Sequence, residues 1–174
     1  MKKTFITILL VLLFVATPMF AVTDSLNVTT TVADVGLIKV TEASSTTATV
    51  AAFNALTAYG DLAISTSGSQ TFTAYMSTIS NSRSGYTVSM NATSMLSSVS
   101  SVDSYIDYTV TVNTVGLTTT GATAVTGVTV LTVGSLAAIA TQSHAVALSI
   151  DATTFDAAVS GTYTGTVTFT YAAT

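Results

Sequence analysis

The chain has 174 residues, of which 49% are apolar and only 7% are charged, with a formal net charge of -4. Because cysteine is absent, disulfides, thiolate metal sites and cysteine nucleophiles are excluded. Basic residues number four, against eight acidic ones, so no basic patch forms and nucleic acid is excluded as a partner. Serine and threonine make up about a third of the chain, so its polar surface consists of hydroxyl groups rather than charges.

The N-terminus has the pattern of a secretory signal. Met1, Lys2 and Lys3 form a basic start, residues 4–16 are an apolar run, and Pro18 breaks that run shortly before Ala21. We predict a signal peptide over residues 1–21 that is cleaved after Ala21, and hence an exported protein. An uncleaved anchor is disfavoured, because Pro18 ends the run before it reaches the roughly 20 residues that span a bilayer.

Residues 24–33 alternate between apolar and polar side chains. Leu26, Val28, Thr30 and Val32 share one face, as expected for a strand with a side-chain period of two. We therefore divide the exported chain into an N-terminal extension, residues 22–34, and a body, residues 35–174.

The middle of the body contains short alternating runs separated by turns rich in glycine, serine and asparagine. Strands are predicted at residues 37–40, 62–64, 71–78, 86–90, 105–112, 128–131 and 144–150. Residues 42–58 have no clear pattern, residues 92–104 are predicted as a long loop, and residues 134–142 as a brief helical turn. Phe155 and Val159 are spaced for one further helical turn.

Residues 161–171 show the clearest alternation in the chain. Every even position is threonine, and Tyr163, Val167, Phe169 and Tyr171 occupy odd positions. This pattern predicts a strand with one apolar face that must be buried against another sheet. With about eight or nine such strands and no long helix, the fold class is all-β, and we predict an immunoglobulin-like β-sandwich.

No catalytic or metal-binding pattern stands out. His144 and Asp151 lack the Gly-x-Ser-x-Gly turn that presents a serine nucleophile in many hydrolases. The pairs Asp103/Asp107 and Asp151/Asp156 do not match a calcium-binding loop. We therefore expect neither an enzyme nor a cofactor.

Several segments, in their order along the chain, resemble the colonisation-factor pilins, which are the major fimbrial subunits of the alternate chaperone–usher pathway. The similar segments are residues 26–32 and 35–38, 85–92, 106–112 and 116–121, and finally 142–151 and 161–167.

The resemblance implies a sandwich that lacks its last strand and receives it from the N-terminal extension of another copy, by β-strand addition. The donor strand would be residues 24–33, with Leu26, Val28, Thr30 and Val32 facing the groove. The acceptor edge would be Tyr163, Val167, Phe169 and Tyr171. It further implies a head-to-tail filament of identical copies, a periplasmic chaperone and an outer-membrane usher as partners, export via the periplasm to a cell-surface fimbrium, and contact with a host or glycan surface.

Two other interpretations remain open from the sequence. The extension folds back into its own groove, which would give a monomeric secreted β-sandwich that acts as a surface or periplasmic binding module. Alternatively, the same sandwich forms a surface-layer or coat protein through lateral contacts.

Overall fold

The computed structural model describes residues 26–99 and 102–174, with the side chain of Val99 excepted. The signal peptide predicted for residues 1–21 lies outside these residues. The chain divides into two units, Met1–Val32 and Ala33–Thr174, and the second is the body that carries the sheets. Within the described residues, no helix is long and apolar enough to cross a membrane.

The described part of the chain contains mostly β-strands and two short helices. The strands are β1 (Gly36–Thr41), β2 (Gly68–Ser69), β3 (Tyr75–Ser80), β4 (Tyr86–Ala92), β5 (Met95–Val99), β6 (Val102–Ile106), β7 (Tyr108–Val112), β8 (Val115–Thr118), β9 (Val125–Val133), β10 (Ala140–Ile150) and β11 (Val167–Ala173). The helices are α1 (Val50–Asn54) and α2 (Ala152–Asp156).

All strand pairs are antiparallel. One sheet has the order β1-β3-β10-β7-β8, with β2 added beside β10, and a second sheet has the order β11-β4-β9. Strands β5 and β6 form a separate two-stranded sheet. The predicted all-β class is therefore confirmed.

The two larger sheets share one hydrophobic core. In β4 every second residue is buried and the residues between them are half-exposed, and β7 in the other sheet shows the same alternation. Each buried aliphatic or aromatic side chain contributes about 1.5–3 kcal/mol. The core cluster consists of Met76, Tyr86, Val88, Met90, Ala92, Ile106, Tyr108, Val110, Val112, Leu117, Val130, Leu131 and Ile150.

Strand β3 is buried on both of its faces. Its outer face is covered by residues 42–58, the segment that had no clear pattern in the sequence and that contains α1. A chain of hydroxyl groups runs along this face: Thr41 Oγ1 lies 3.0 Å from Ser77 Oγ, which lies 2.9 Å from Ser143 Oγ, whereas the buried Ser45 Oγ has no hydrogen-bond partner. The Nζ group of Lys39 donates a 3.0 Å hydrogen bond to the carbonyl of Asn54, at the end of α1, and so ties this segment to β1.

Three local predictions are wrong. Residues 92–104 contain the β5–β6 hairpin rather than a loop, because β5 also pairs with the chain before β11 through reciprocal hydrogen bonds between Leu96 and Thr164. Residues 134–142 form no helix, and β10 begins at Ala140. Residues 62–64 belong to no strand.

The strand register defines two ends of the body. Ser80 lies opposite both Gly36 and Ala140, and Ala173 lies opposite Tyr86. The upper end therefore comprises residues 33–36, 81–85, 134–139 and 173–174. At the lower end, Val167 lies opposite Ala92 and Ile150 lies opposite Tyr108. The lower end comprises the β5–β6 hairpin, α2 and residues 157–165.

We predict that Thr114→Gly stabilises the protein. Asn113 and Thr114 connect β7 to β8 with φ angles of 47° and 66°, which is the two-residue turn that needs left-handed backbone at both positions. A non-glycine residue there costs roughly 1–2 kcal/mol. Glycine removes that cost but adds chain entropy to the unfolded state, so we expect a net gain of about 0.5 kcal/mol in the free energy of unfolding.

Urea denaturation measures this change, and Thr132→Gly is the matched control. Thr132 is exposed on a regularly paired part of strand β9, where glycine is expected to cost roughly 0.5–1 kcal/mol. Equal destabilisation by both substitutions would show that the 113–114 turn is not strained.

Candidate functional site

The last strand, β11, is hydrogen-bonded along one edge only among the described residues. It lies at the border of its sheet, next to β4. Thr166 accepts a backbone hydrogen bond from Thr93, and Thr174 donates one to Gly85. Since hydrogen-bonded pairs alternate in an antiparallel ladder, the even residues of β11 bond to β4 and the odd residues direct their N–H and C=O groups to the open edge.

The same odd residues carry the apolar side chains that were predicted as the acceptor edge. Val167, Phe169 and Tyr171 are half-buried in β11, whereas Thr168 and Thr170 between them are exposed. The fourth predicted residue, Tyr163, lies before β11, and its hydroxyl donates a 2.8 Å hydrogen bond to the carbonyl of Val159 and lies 2.8 Å from Ser104 Oγ. The open backbone groups and the apolar face therefore belong to the same residues.

The upper half of this edge is filled by Tyr171. Its hydroxyl lies 2.9 Å from Ser80 Oγ, and its ring stacks on Tyr86 with 4.8 Å between centroids. A Cβ atom added to Gly36 would lie 2.7 Å from Cζ of Tyr171, so glycine is required where β1 passes the ring. At this end, then, Tyr171 bridges the borders of the two sheets.

The lower half of the edge is open. A cleft of about 370 Å³ is lined by the segment from Tyr163 to Val167 on one side and by Leu62 and Ile64 on the other. Leu148 and Tyr108 line it as well, so the cleft reaches the hydrophobic core. A second cleft of about 660 Å³ shares Leu62, Ile64, Met95 and Tyr163 with the first and extends to α2. We call the two clefts together, with the open edge of β11, the groove.

The hydroxyl group of Tyr108, a residue that lines the groove, is hydrogen-bonded to backbone carbonyl groups. Its hydroxyl donates to the carbonyl oxygens of Thr93, at 2.8 Å, and Thr166, at 3.3 Å. The residue is only 3% exposed, and burial raises the pKa of Tyr108 to about 12. Tyr108 therefore stays neutral at physiological pH and links β7 to the junction of β4 and β11.

The residues predicted as a donor strand are exposed. Leu26, Val28 and Val32 are 88%, 86% and 78% exposed, and Thr30 is also exposed. Residues 26–35 form no strand, although their alternation predicted one, because a strand requires hydrogen bonds to a neighbour. Large apolar side chains on one face of an unpaired segment are typical of a sequence that is buried elsewhere.

The residues considered for catalysis have structural surroundings. Asp151 caps α2 by accepting a 2.8 Å hydrogen bond from the backbone of Thr154. His144 is half-buried in β10 opposite Met76, and its Nε2 atom is buried without a hydrogen-bond partner. Within residues 26–99 and 102–174, no three histidine or carboxylate side chains come close enough to hold a metal ion.

Asp107 has a role that the sequence did not indicate. Its Oδ1 atom accepts hydrogen bonds from Ser94 Oγ at 2.6 Å and from the backbone N–H of Gly121 at 2.9 Å. This carboxylate ties the start of β5 to the chain after β8, beside the lower end of the groove. The groove walls Leu62, Ile64 and Met95 were also missed, since their only signal was a short apolar alternation.

We predict that the alkaline stability of the protein depends on Tyr108. Because the folded pKa is raised above the usual value near 10, the unfolded state releases the Tyr108 proton first, and stability falls as pH rises from about 10 to about 12. Tyr108→Phe removes this contribution. The stability difference between wild type and variant should be constant below pH 9 and should shrink above pH 10.

Denaturant titrations of both proteins at several pH values between 7 and 12 measure this difference. Tyr59→Phe, which removes a tyrosine hydroxyl from a half-exposed position outside the groove, is the control. A difference that stays constant up to pH 12 would contradict the buried environment assigned to Tyr108.

The chain has no match among the protein family models, the characterised proteins or the solved structures with which it was compared. What the groove binds therefore has to be inferred from its own geometry. It is an opening with both apolar and polar lining residues, beside a strand edge whose backbone donors and acceptors point outward.

Proposed function

We propose that this protein is the structural subunit of a surface fimbria assembled by donor-strand exchange, in which residues 24–33 of one copy complete the sheet of the next. The body is then an immunoglobulin-like sandwich that lacks one strand. The observation that carries the proposal is the open edge of β11, whose odd residues carry both the outward backbone groups and the apolar side chains, with Val167 lining the cleft.

The alternation of apolar and polar residues in the donor segment, residues 24–33, is complementary to that in β11. In an antiparallel pair, residues directly opposite each other point to the same face of the sheet. A donor whose Leu26, Val28 and Val32 lie opposite odd residues of the last strand places these side chains in the groove. If the donor shifted by one residue along β11, all three side chains would face solvent. The apolar pattern therefore favours registers in which the even residues of the donor lie opposite odd residues of β11.

Length and energy support this exchange. Residues 26–33 span about 26 Å when extended, and the part of the edge that Tyr171 leaves open, residues 163–169, spans about 23 Å. Burying Leu26, Val28 and Val32 contributes roughly 1.5–3 kcal/mol each. About eight ladder hydrogen bonds add roughly 0.5–1.5 kcal/mol each. The total is on the order of 10 kcal/mol, similar to the stability of a whole domain.

The position of the chain exit favours an antiparallel donor. The extension leaves the body at the upper end, beside Gly36, and β11 runs from the lower end to the upper end. An antiparallel donor ends with Val32 at the lower end of the acceptor, so its own body lies below. A parallel donor would bring its body to the upper end, where the acceptor's own extension leaves.

The same features explain why such a subunit would need partners before assembly. An exposed apolar segment and an unpaired strand edge on one molecule promote aggregation. A periplasmic chaperone that covers the groove and an outer-membrane usher that orders the exchange are the partners expected for export to the cell surface. Since each copy donates to the next, the contact is heterologous and does not close, which gives a filament.

The self-complemented monomer is the competing function. Because Asn81 holds Ala33 and Val35 at the upper end, where β11 ends, an extension that folded back would run parallel to β11. Parallel pairing is slightly less stable per residue than antiparallel pairing, which favours donation to another copy. The outer face of β11 exposes Thr168, Thr170 and Ala172, and it is the surface on which we would place contacts with a host or glycan.

We predict that Val28→Asp blocks filament formation and that Thr29→Asp does not. Both variants add one negative charge to the same exposed segment, but only residue 28 enters the groove, where a carboxylate would lose its hydration. Light scattering after size exclusion should show multimers for the wild type and Thr29→Asp, and monomers for Val28→Asp.

The Val28→Asp monomer also tests the acceptor side. A synthetic peptide of residues 24–33 should bind it and raise its melting temperature, because the groove remains intact. The same peptide with aspartate at position 28 is the control and should not bind. If multimers form equally with Val28→Asp, or if the unmodified peptide fails to bind, donor-strand exchange is wrong for this chain.

A further inference from the structure

The lower end of the body exposes an apolar surface beside the groove. Val102 is 65% exposed, Val159 is 55% exposed and Leu96 is 38% exposed, and all three belong to the β5–β6 hairpin or to the segment after α2. Val159 lines the larger cleft. These side chains remain exposed although the core of the same body is well buried.

At the upper end of the body, Asn81 holds the chain at the point where the extension joins the body. The Oδ1 atom of Asn81 accepts a 2.7 Å hydrogen bond from the N–H of Val35, and its Nδ2 group donates a 2.9 Å hydrogen bond to the carbonyl of Ala33. The body thus starts at Ala33, one residue after Val32. Neighbouring Cα atoms are only about 3.8 Å apart, so a donor whose Val32 reaches the lower end of an acceptor brings its own upper end into contact with it.

The charges of the two ends differ in a way that suits this contact. The upper end carries Arg83 in its exposed turn, together with Asp34. At the lower end the exposed residues Asp103 and Asp156 are both acidic. Lys39, the other basic residue of the body, is engaged with the carbonyls that end α1. Arg83 is therefore the basic side chain that can meet an acidic partner.

We infer that neighbouring bodies in the filament dock directly, the upper end of the donor on the lower end of the acceptor, with Arg83 facing Asp103 and Asp156 and with Val102 and Val159 covered. This inference rests on the proposed function and adds a second contact to it. The donor strand supplies the main affinity, and the docked ends set the angle between successive subunits and the stiffness of the filament.

Charge reversal at Arg83 tests the contact. Filaments of Arg83→Glu should dissociate into monomers at a lower guanidinium concentration than wild type, with a subunit affinity about two- to tenfold weaker at low salt, as expected for exposed ion pairs. In 0.5 M NaCl the difference should largely disappear, because charges are screened. Thr129→Glu adds a charge to the outer face of β9, away from both ends, and is the matched control.

A charge exchange identifies the partner. Asp156→Arg, or Asp103→Arg, should restore filament stability when combined with Arg83→Glu and should weaken it alone. If Arg83→Glu filaments match wild type at low salt, or if neither exchange restores them, the docked ends are wrong. Melting of each variant in the Val28→Asp background confirms that the monomers are folded.

Binding of the free peptide separates this inference from the proposed function. The peptide of residues 24–33 has no body, so its affinity for the Val28→Asp monomer should not change with Asp156→Arg. If the peptide binds but Arg83→Glu has no effect on filaments, donor-strand exchange stands and body docking fails. If the peptide does not bind at all, both fail.

Discussion

The whole arrangement depends on the hydrogen bonding of β11, which has a partner on one edge and none described on the other. Its even residues bond to β4, so the odd residues Val167, Phe169 and Tyr171 offer both backbone groups and apolar side chains on the open side. Unpaired backbone groups next to exposed apolar surface are unfavourable, and a strand of matching alternation satisfies both at once. Tyr171 fills the upper half of the gap between the sheets, so the opening is confined to the lower half.

Hydroxyl groups take the place of charges throughout this protein. A hydroxyl group both donates and accepts, so it can be satisfied by another hydroxyl group in a buried site. Thr78 with Tyr86 and Ser80 with Tyr171 pair in this way inside the body, and Ser77 lies between two other hydroxyl groups on the far side of β3. This allows β3 to be buried on both faces without a single ion pair. Because charged side chains are few, the charge of Arg83 also has a relatively large effect on the electrostatics of the upper end.

The predicted acceptor residues show both the strength and the limit of pattern analysis. The alternation of residues 161–171 predicted which side chains face inward, and Val167, Phe169 and Tyr171 do so in β11. The opposite wall of the groove was not predicted. Leu62 and Ile64 belong to no strand, and they line the groove only because the chain passes beside the open edge after α1. The β5–β6 hairpin was missed because serine-rich segments look alike in a strand and in a loop.

By itself the sequence determined the all-β class, the approximate position of several core strands and the inward face of β11, because side-chain alternation is a local property of the extended backbone. It also determined that the extension carries a strand-like apolar face at Leu26, Val28 and Val32. Only the tertiary structure decided which strand edges are paired, where Tyr171 bridges the two sheets and where the groove opens. Those features depend on contacts between residues far apart in the chain, and a local period of two contains no information about which strands become neighbours.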